Sequence, residues 1–285
     1  MMHRVYTVLL KVIPFFVIGL ITAIIPFFLP SNHLDLYVFN ADFLYLPSLY
    51  QSVIEEGKPI WDWYLTPAPY FFPDFFIYAI IQAFVHNFRL SLSLANGFTF
   101  SFIFFLLYVL FRKLTNQQFK MAFFWVSTLF ILVIWINALT GHYLLMSFIF
   151  TISNHAGNII NTLLASILAI QIIQSNRYHI FLWVLYFLFS VICLISDNLF
   201  FLTFIFPLTL FLIVLLTLKF SGQKLFFFLL HGSSVTIGLV LSNNLRFFAY
   251  HVNKVKTRWD RMPESIDYFI KTSSFLYRSY TPFVI

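Results

Sequence analysis

Few side chains in this sequence can move a proton or hold an ion, and most of them are grouped. Of ten acidic residues in 285, six (Asp35, Asp42, Glu55, Glu56, Asp62 and Asp74) fall in one stretch whose single basic residue is Lys58. A carboxylate beside a hydroxyl or amine can act as a general base, and such proton removal is worth about 100- to 10,000-fold in rate. Asp197 stands between two apolar runs that leave almost no loop. A charge at a span centre costs about 2.5 to 3.5 kcal/mol, so Asp197 is expected at a membrane surface or in a polar cavity. Its two readings are a turn and a site acid. His142 and His155 are thirteen positions apart, with no further His, Cys or carboxylate at ligand spacing, so no metal site is expected. Both read as membrane-surface histidines. The single Cys193 lies in an apolar run, which leaves neither an internal disulfide nor a Cys-based metal site. No nucleotide-phosphate loop, nucleophile elbow or metalloprotease helix is present.

The elements that must carry these residues are membrane helices. The chain is 61% hydrophobic, 22% aromatic and 9% charged, with a mean hydropathy of +0.88. Soluble domains carry about 25% charged residues, so a soluble enzyme, a disulfide-rich secreted module and a disordered tail are all excluded. The net charge of +7 reports orientation and contact with membrane lipid, and no basic repeat or zinc-finger spacing supports nucleic acid. About 20 apolar residues cross the roughly 30 Å hydrocarbon layer. Long apolar runs occupy 8–29, 92–111, 121–139, 158–174, 180–195, 199–218 and 225–241, with shorter ones at 75–88 and 143–152. The first reads as a retained anchor, being too long for a signal-peptide core. If neither short run crosses, Arg112, Lys113, Lys120, Arg177, Lys219 and Lys224 share one side, which positive-inside bias makes cytoplasmic. This predicts seven spans, a cytoplasmic amino end, a transmembrane module over 1–245 with an acidic external loop over 30–90, and a basic external segment over 246–285; the alternatives are eight spans with an inward tail if 75–88 alone crosses, and nine if both short runs do.

Within the acidic loop, Pro47 and Gly57 bracket a short predicted helix with Leu49, Val53 and Ile54 toward the membrane and Gln51 and Glu55 toward water. The stretch Trp61-Asp-Trp-Tyr64 and then Pro67-Ala-Pro-Tyr-Phe-Phe-Pro-Asp74 follows, stiffened by proline and rich in headgroup-level aromatics. The segment is expected to lie along the membrane face.

The order Asp42-x-x-Tyr45, Gly57-Lys-Pro-x-Trp61 and the Pro/Tyr/Phe-rich run to Asp74, then Arg89-Leu90, Arg112-Lys113 and Ser196-Asp-Asn-Leu-Phe-Phe201 with Pro207, resembles the GT-C superfamily of membrane glycosyltransferases. The pattern is most similar to protein O-mannosyltransferases and lipid A aminoarabinose transferases. The resemblance implies an all-α polytopic bundle in a bacterial inner membrane that uses a sugar on polyprenyl phosphate at the outer face. It makes Asp42 the acceptor base, assisted by Tyr45, with Asp74 and His155 shaping the pocket. Arg89, Lys254, Lys256, Arg258 and Arg261 would clamp the leaving phosphate; the tail cations read equally as lipid-headgroup contacts. Asp42 read alone is a helix-capping surface aspartate. The chain departs from the pattern where the family pairs Asp with Glu, here Asp42-Phe43. It departs again where a second acid is usual, here 151–158 with His155. Family members continue through further spans beyond the position of Ile285, so the resemblance covers the amino-terminal module. The alternative is a non-catalytic GT-C-like protein that binds polyprenyl lipid or a partner subunit. Transport ranks last, because the spans read as almost uniformly apolar. No cofactor is identified.

Overall fold

The computed structural model describes residues 13–15, 17–19, 21, 41–60, 63–65, 68–115, 118–140, 152, 155–175, 179–248, 250–251, 263 and 267, without the side chains of 41–43, 64–65, 133–140 and 245–251. Helical backbone at 13–15, 17–19 and 21 is followed by α1 (Ala41–Tyr50, continued by a π turn at Gln51–Glu55), α2 (Phe71–Val85), α3 (Phe88–Thr115), α4 (Phe119–Thr140), α5 (Ala156–Gln174), α6 (Ile180–Ser196), α7 (Phe201–Leu218) and α8 (Gly222–Phe248). Strand geometry among the described residues is confined to Tyr64–Leu65 and Tyr250–His251. The chain divides into two compact units, 1–250 and 251–285. In the second, the described backbone is helical at Pro263 and Asp267.

This is an all-α bundle built for an apolar solvent. Four helices, α3, α5, α7 and 222–244 of α8, are long and apolar enough to cross a membrane. At 1.5 Å per residue, 18 to 28 residues reach roughly 27 to 42 Å. The faces they leave open are apolar too: Leu202, Phe206, Phe211, Val214 and Leu218 of α7 are all exposed. A patch of that extent fits lipid and not water.

Three packed clusters hold the bundle. Phe15 meets Phe104, Phe105, Tyr108 and Phe123 with ring centroids 5.0 to 5.5 Å apart, joining the amino-terminal helix to α3 and α4. Ala165 and Ala169 of α5 pack with Trp183, Tyr186 and Leu194 of α6, Phe204 and Leu212 of α7, and Phe227 of α8. Leu46 and Tyr50 of α1 pack with Tyr78 of α2 and Leu92 of α3.

That third cluster corrects the helix expected from Pro47. The helix begins at Ala41 and Pro47 lies inside it. Leu49, expected on the membrane face, is fully buried against the bundle, while Ile54 is exposed. Pro47 has no N–H to give the residue 43 carbonyl, so one bond of this helix is missing, and the helix continues as a π turn at Gln51–Glu55. Gly57, with φ of 68°, follows the helix end as expected.

Chain direction sorts the charges. α5 starts beside His155, α6 returns to the same end at Ser196, and α7 departs again after Asp197. The start of α3 belongs there as well, since Asn96 Oδ1 accepts the Ile152 N–H at 3.0 Å. Arg112, Lys113 and Lys120, and then Lys219 and Lys224, occupy the connections at the other end.

Candidate functional site

The acid-bearing end is stitched together by one serine. Phe72 is extended (φ −131°, ψ 130°), as a residue before proline tends to be, so its backbone groups find no partner within α2. Ser196 Oγ, at the carboxyl end of α6, accepts the Phe72 N–H at 2.7 Å and donates to the Phe72 carbonyl at 2.7 Å. Asn161 Nδ2 of α5 donates to the same carbonyl at 3.1 Å, and the Tyr70 N–H reaches the Ser196 carbonyl at 3.2 Å. The next two residues, Pro73 and Asp74, are thereby held in the π turn that opens α2, a geometry frequent at functional sites.

Asp74 is 2% exposed. The backbone of Gly157 hydrogen-bonds its carboxylate, and a Cβ at Gly157 would overlap Asp74 Oδ2, so only glycine lets α5 come this close. The other oxygen, Oδ1, has no hydrogen-bond partner. Burial, reinforced by the negative charge of Asp197 and opposed by the Gly157 bond and by His155, pushes the Asp74 carboxyl up to about 7.

Asp197 is 3% exposed and uses both oxygens. Oδ1 accepts the Leu199 N–H at 2.9 Å, the capping role for the turn into α7, and Oδ2 faces His155 Nδ1 at 2.7 Å. An ionised carboxylate only accepts, so Nδ1 carries the proton and Nε2 becomes the ring's exchanging position. The bond to Asp197 holds the His155 imidazole above its ordinary value, against the opposing effect of burial. His155 has a left-handed backbone (φ 67°) at the head of α5, a conformation that costs a β-carbon residue about 1 to 3 kcal/mol and clusters at functional sites. Tyr70, whose ring lies 5.5 Å from that of His155, is left-handed as well.

Asp74, His155 and Asp197 therefore come from three separate connections to one place. Asp74 and His155 are the two pocket-shaping residues expected from the sequence, and Asp197 combines its two readings, since it both caps a turn and joins the cluster. Tyr45 of α1 is half-buried and reaches the group through its ring, 6.4 Å from Tyr70 and 6.2 Å from Trp63. Arg89 is exposed in the first turn of α3, its guanidinium 5.9 Å from the Phe88 ring. The backbone of Asp42 is helical in α1, but its side chain lies outside the described residues. So do Asp62, His142, Lys254, Lys256, Arg258 and Arg261.

Sequence reasoning missed the polar supports. Asn158 Nδ2 donates to Thr203 Oγ1 at 3.1 Å, and Thr162 and Thr203 hydroxyls meet at 2.9 Å, which ties α5 to the start of α7. The visible sign was the run of Asn158, Asn161 and Thr162, one helical face of polar residues in an apolar segment. A second polar site was missed altogether. His231 of α8, 1% exposed, lies between Tyr186 Oη (2.7 Å from Nδ1) and Thr209 Oγ1 (3.0 Å from Nε2). With these, the expectation of almost uniformly apolar helices gives way to an interior holding several buried polar side chains. No group of three or more His, Cys, Asp or Glu suited to a metal ion occurs among the described residues.

The fold and this end of the bundle define a polytopic all-α membrane protein with a buried carboxylate–imidazole–carboxylate cluster. No family model, curated protein or solved structure matches the chain.

Proposed function

We propose that the protein is a membrane glycosyltransferase of GT-C type, moving a sugar from a polyprenyl-phosphate donor to an acceptor held at the Asp74–His155–Asp197 end of the bundle. The observation that carries this reading is the Asp74 carboxyl, poised near neutrality by burial beside a second acid, with one oxygen unpartnered. A base with those properties takes a proton from an acceptor hydroxyl or amine near pH 7, where an ordinary aspartate is too weak. His155, oriented by Asp197, is placed to relay that proton through Nε2. In this reading Asp74 takes the role of acceptor base that the resemblance gives to Asp42. A position of the cluster at the outer face is supported by the cations gathered at the opposite end, which positive-inside bias favours as cytoplasmic.

Purified protein given a lipid-linked sugar pool should transfer sugar, and Asp74→Asn should lower the rate by about 100-fold or more at unchanged folding. Transfer at the parental rate in both Asp74→Asn and Asp42→Asn would overturn the reading.

The alternative, binding of a polyprenyl lipid without turnover, is favoured by a second observation. A groove of about 440 Å³ between α6 and α8 is lined by Ile180, Trp183, Val184, Leu188, Phe226 and Leu230, all apolar. Saturable lipid binding without transfer across a panel of donors would establish that reading.

A further inference from the structure

Hydroxyls on the apolar helices of this bundle commonly turn back on their own helix. Thr128, Ser166, Thr209, Ser233 and Thr236 each donate to the carbonyl four residues earlier. Ser196 does not. Its Oγ, in a residue 1% exposed, gives its proton to the Phe72 carbonyl and takes the Phe72 N–H, both at 2.7 Å. The Phe72 ring also stands edge-on to Phe189, 5.9 Å away and on the same face of α6 as Ser196, seven residues earlier. Phe72 is therefore pinned to α6 at two points, two turns apart.

The two backbone groups of Phe72 depend on Ser196 unequally. The carbonyl has a second donor in Asn161 Nδ2 at 3.1 Å, whereas the N–H has Ser196 Oγ as its partner among the described residues. A buried N–H without an acceptor is costly, and water is what relieves it. Water drawn to Phe72 would arrive two residues from Asp74. The groups acting directly on that carboxyl are Gly157, the Asp74 backbone, Asp197 and His155, so Ser196 reaches it only through the backbone.

We propose that Ser196 is a positioning residue, which by closing both backbone groups of Phe72 seats Asp74 against Gly157 and keeps water from its carboxyl. Asp197, the next residue, orients His155, so two consecutive residues at the end of α6 set both proton-carrying groups. The inference rests on the transferase reading for what the dry carboxyl does; the seating itself needs no turnover.

The test is infrared titration of the full chain in maltoside micelles, following the protonated-carboxyl band that Asp74→Asn removes. Water at the carboxyl favours its charged form, so in Ser196→Ala the midpoint should fall from about 7 by at least about one pH unit. In the same variant, kcat for sugar transfer should drop by about tenfold with KM for the acceptor unchanged. Ser196→Thr, which restores the hydroxyl, should restore the midpoint. Asn161→Ala leaves Phe72 both of its Ser196 bonds and should leave the midpoint in place. A hydroxyl with a purely structural role would lower the thermal midpoint and not move the band. An unmoved band in folded Ser196→Ala overturns the proposal and leaves the transferase reading standing; a moved band in a chain that transfers no sugar does the reverse. Deuterium exchange on the parent protein needs no variant to fold: the Phe72 amide should exchange at least about 100-fold more slowly than an unprotected amide. Exchange at the unprotected rate overturns the proposal.

Discussion

His155 hydrogen-bonds a carboxylate at the end of the bundle, whereas His231 hydrogen-bonds two hydroxyls within it. Thr209 already donates to the Ile205 carbonyl at 2.8 Å, so it accepts from His231 Nε2, and Nδ1 accepts from Tyr186. Every polar atom of that site is answered by a neutral partner, the arrangement of a group that specifies packing. The His155 site leaves an acceptor unanswered, adds a second carboxyl and holds two residues in left-handed backbone. Burial alone therefore does not separate the two sites in this bundle; the unanswered carboxyl oxygen and the left-handed backbone do.

The comparison breaks most sharply on turnover. Asp197→Asn should reduce sugar transfer by about 100-fold or more, because it removes the charge that orients His155, while His231→Leu should leave the rate per folded molecule unchanged. A radiolabelled-sugar assay normalised to folded protein reads both. A loss of transfer in His231→Leu equal to that in Asp197→Asn would erase the distinction.

Stability should invert the order. His231→Leu strands Tyr186 Oη in the core and is expected to cost about 1 to 3 kcal/mol in denaturant unfolding. Two of the close-packed glycines give the same contrast in steric form. Gly157→Ala drives a Cβ into the Asp74 carboxylate and to 2.8 Å from Pro73 Cδ, so it should cost about 1 to 3 kcal/mol and disturb the cluster. Gly238→Ala meets chiefly the Leu194 side chain, 2.8 Å at Cδ1, which can swing aside; its cost should be smaller. Thermal midpoints of the two variants measured side by side check this.

Stability should also depend on pH. Asp74 keeps its proton in the folded protein up to about 7, whereas the unfolded chain loses it near the ordinary 3.8. The folded state then binds more protons across that window, so stability falls as pH rises through it. His155, also raised, acts in the same direction: its contribution is full below its ordinary 6.5 and fades as pH climbs through the higher folded value. Unfolding midpoints should decline from about pH 5 to about pH 8, and Asp74→Asn should flatten the acidic part of that decline. A midpoint that rises with pH over this range contradicts the assignment.

Much of the fold was legible because apolar runs are long and uninterrupted: the helices at 88–115, 119–140, 156–174, 180–196 and 201–218 lie on runs read from hydropathy alone. Asp74 and His155 were named through the resemblance alone, and Asp197 through the cost of placing charge between two spans. The Ser196–Phe72 stitch was not legible, because it spans 124 positions and depends on a backbone left unsatisfied at a proline. The inward face of α1 was misread because Leu49, Val53 and Ile54 look alike to a hydropathy pattern, and only tertiary packing decides that Leu49 is covered and Ile54 is not. His231 was invisible as a site because its partners Tyr186 and Thr209 lie on two other helices.

The central claim is that Asp74 is a carboxyl poised near neutrality within an acid–base cluster. Infrared titration of the protein in micelles measures it directly through the carbonyl stretch of a protonated carboxylic acid. The account predicts a band present at about pH 6, lost with a midpoint at about 7 and missing from Asp74→Asn. Complete loss of all such bands by about pH 5 in the parent protein would contradict it.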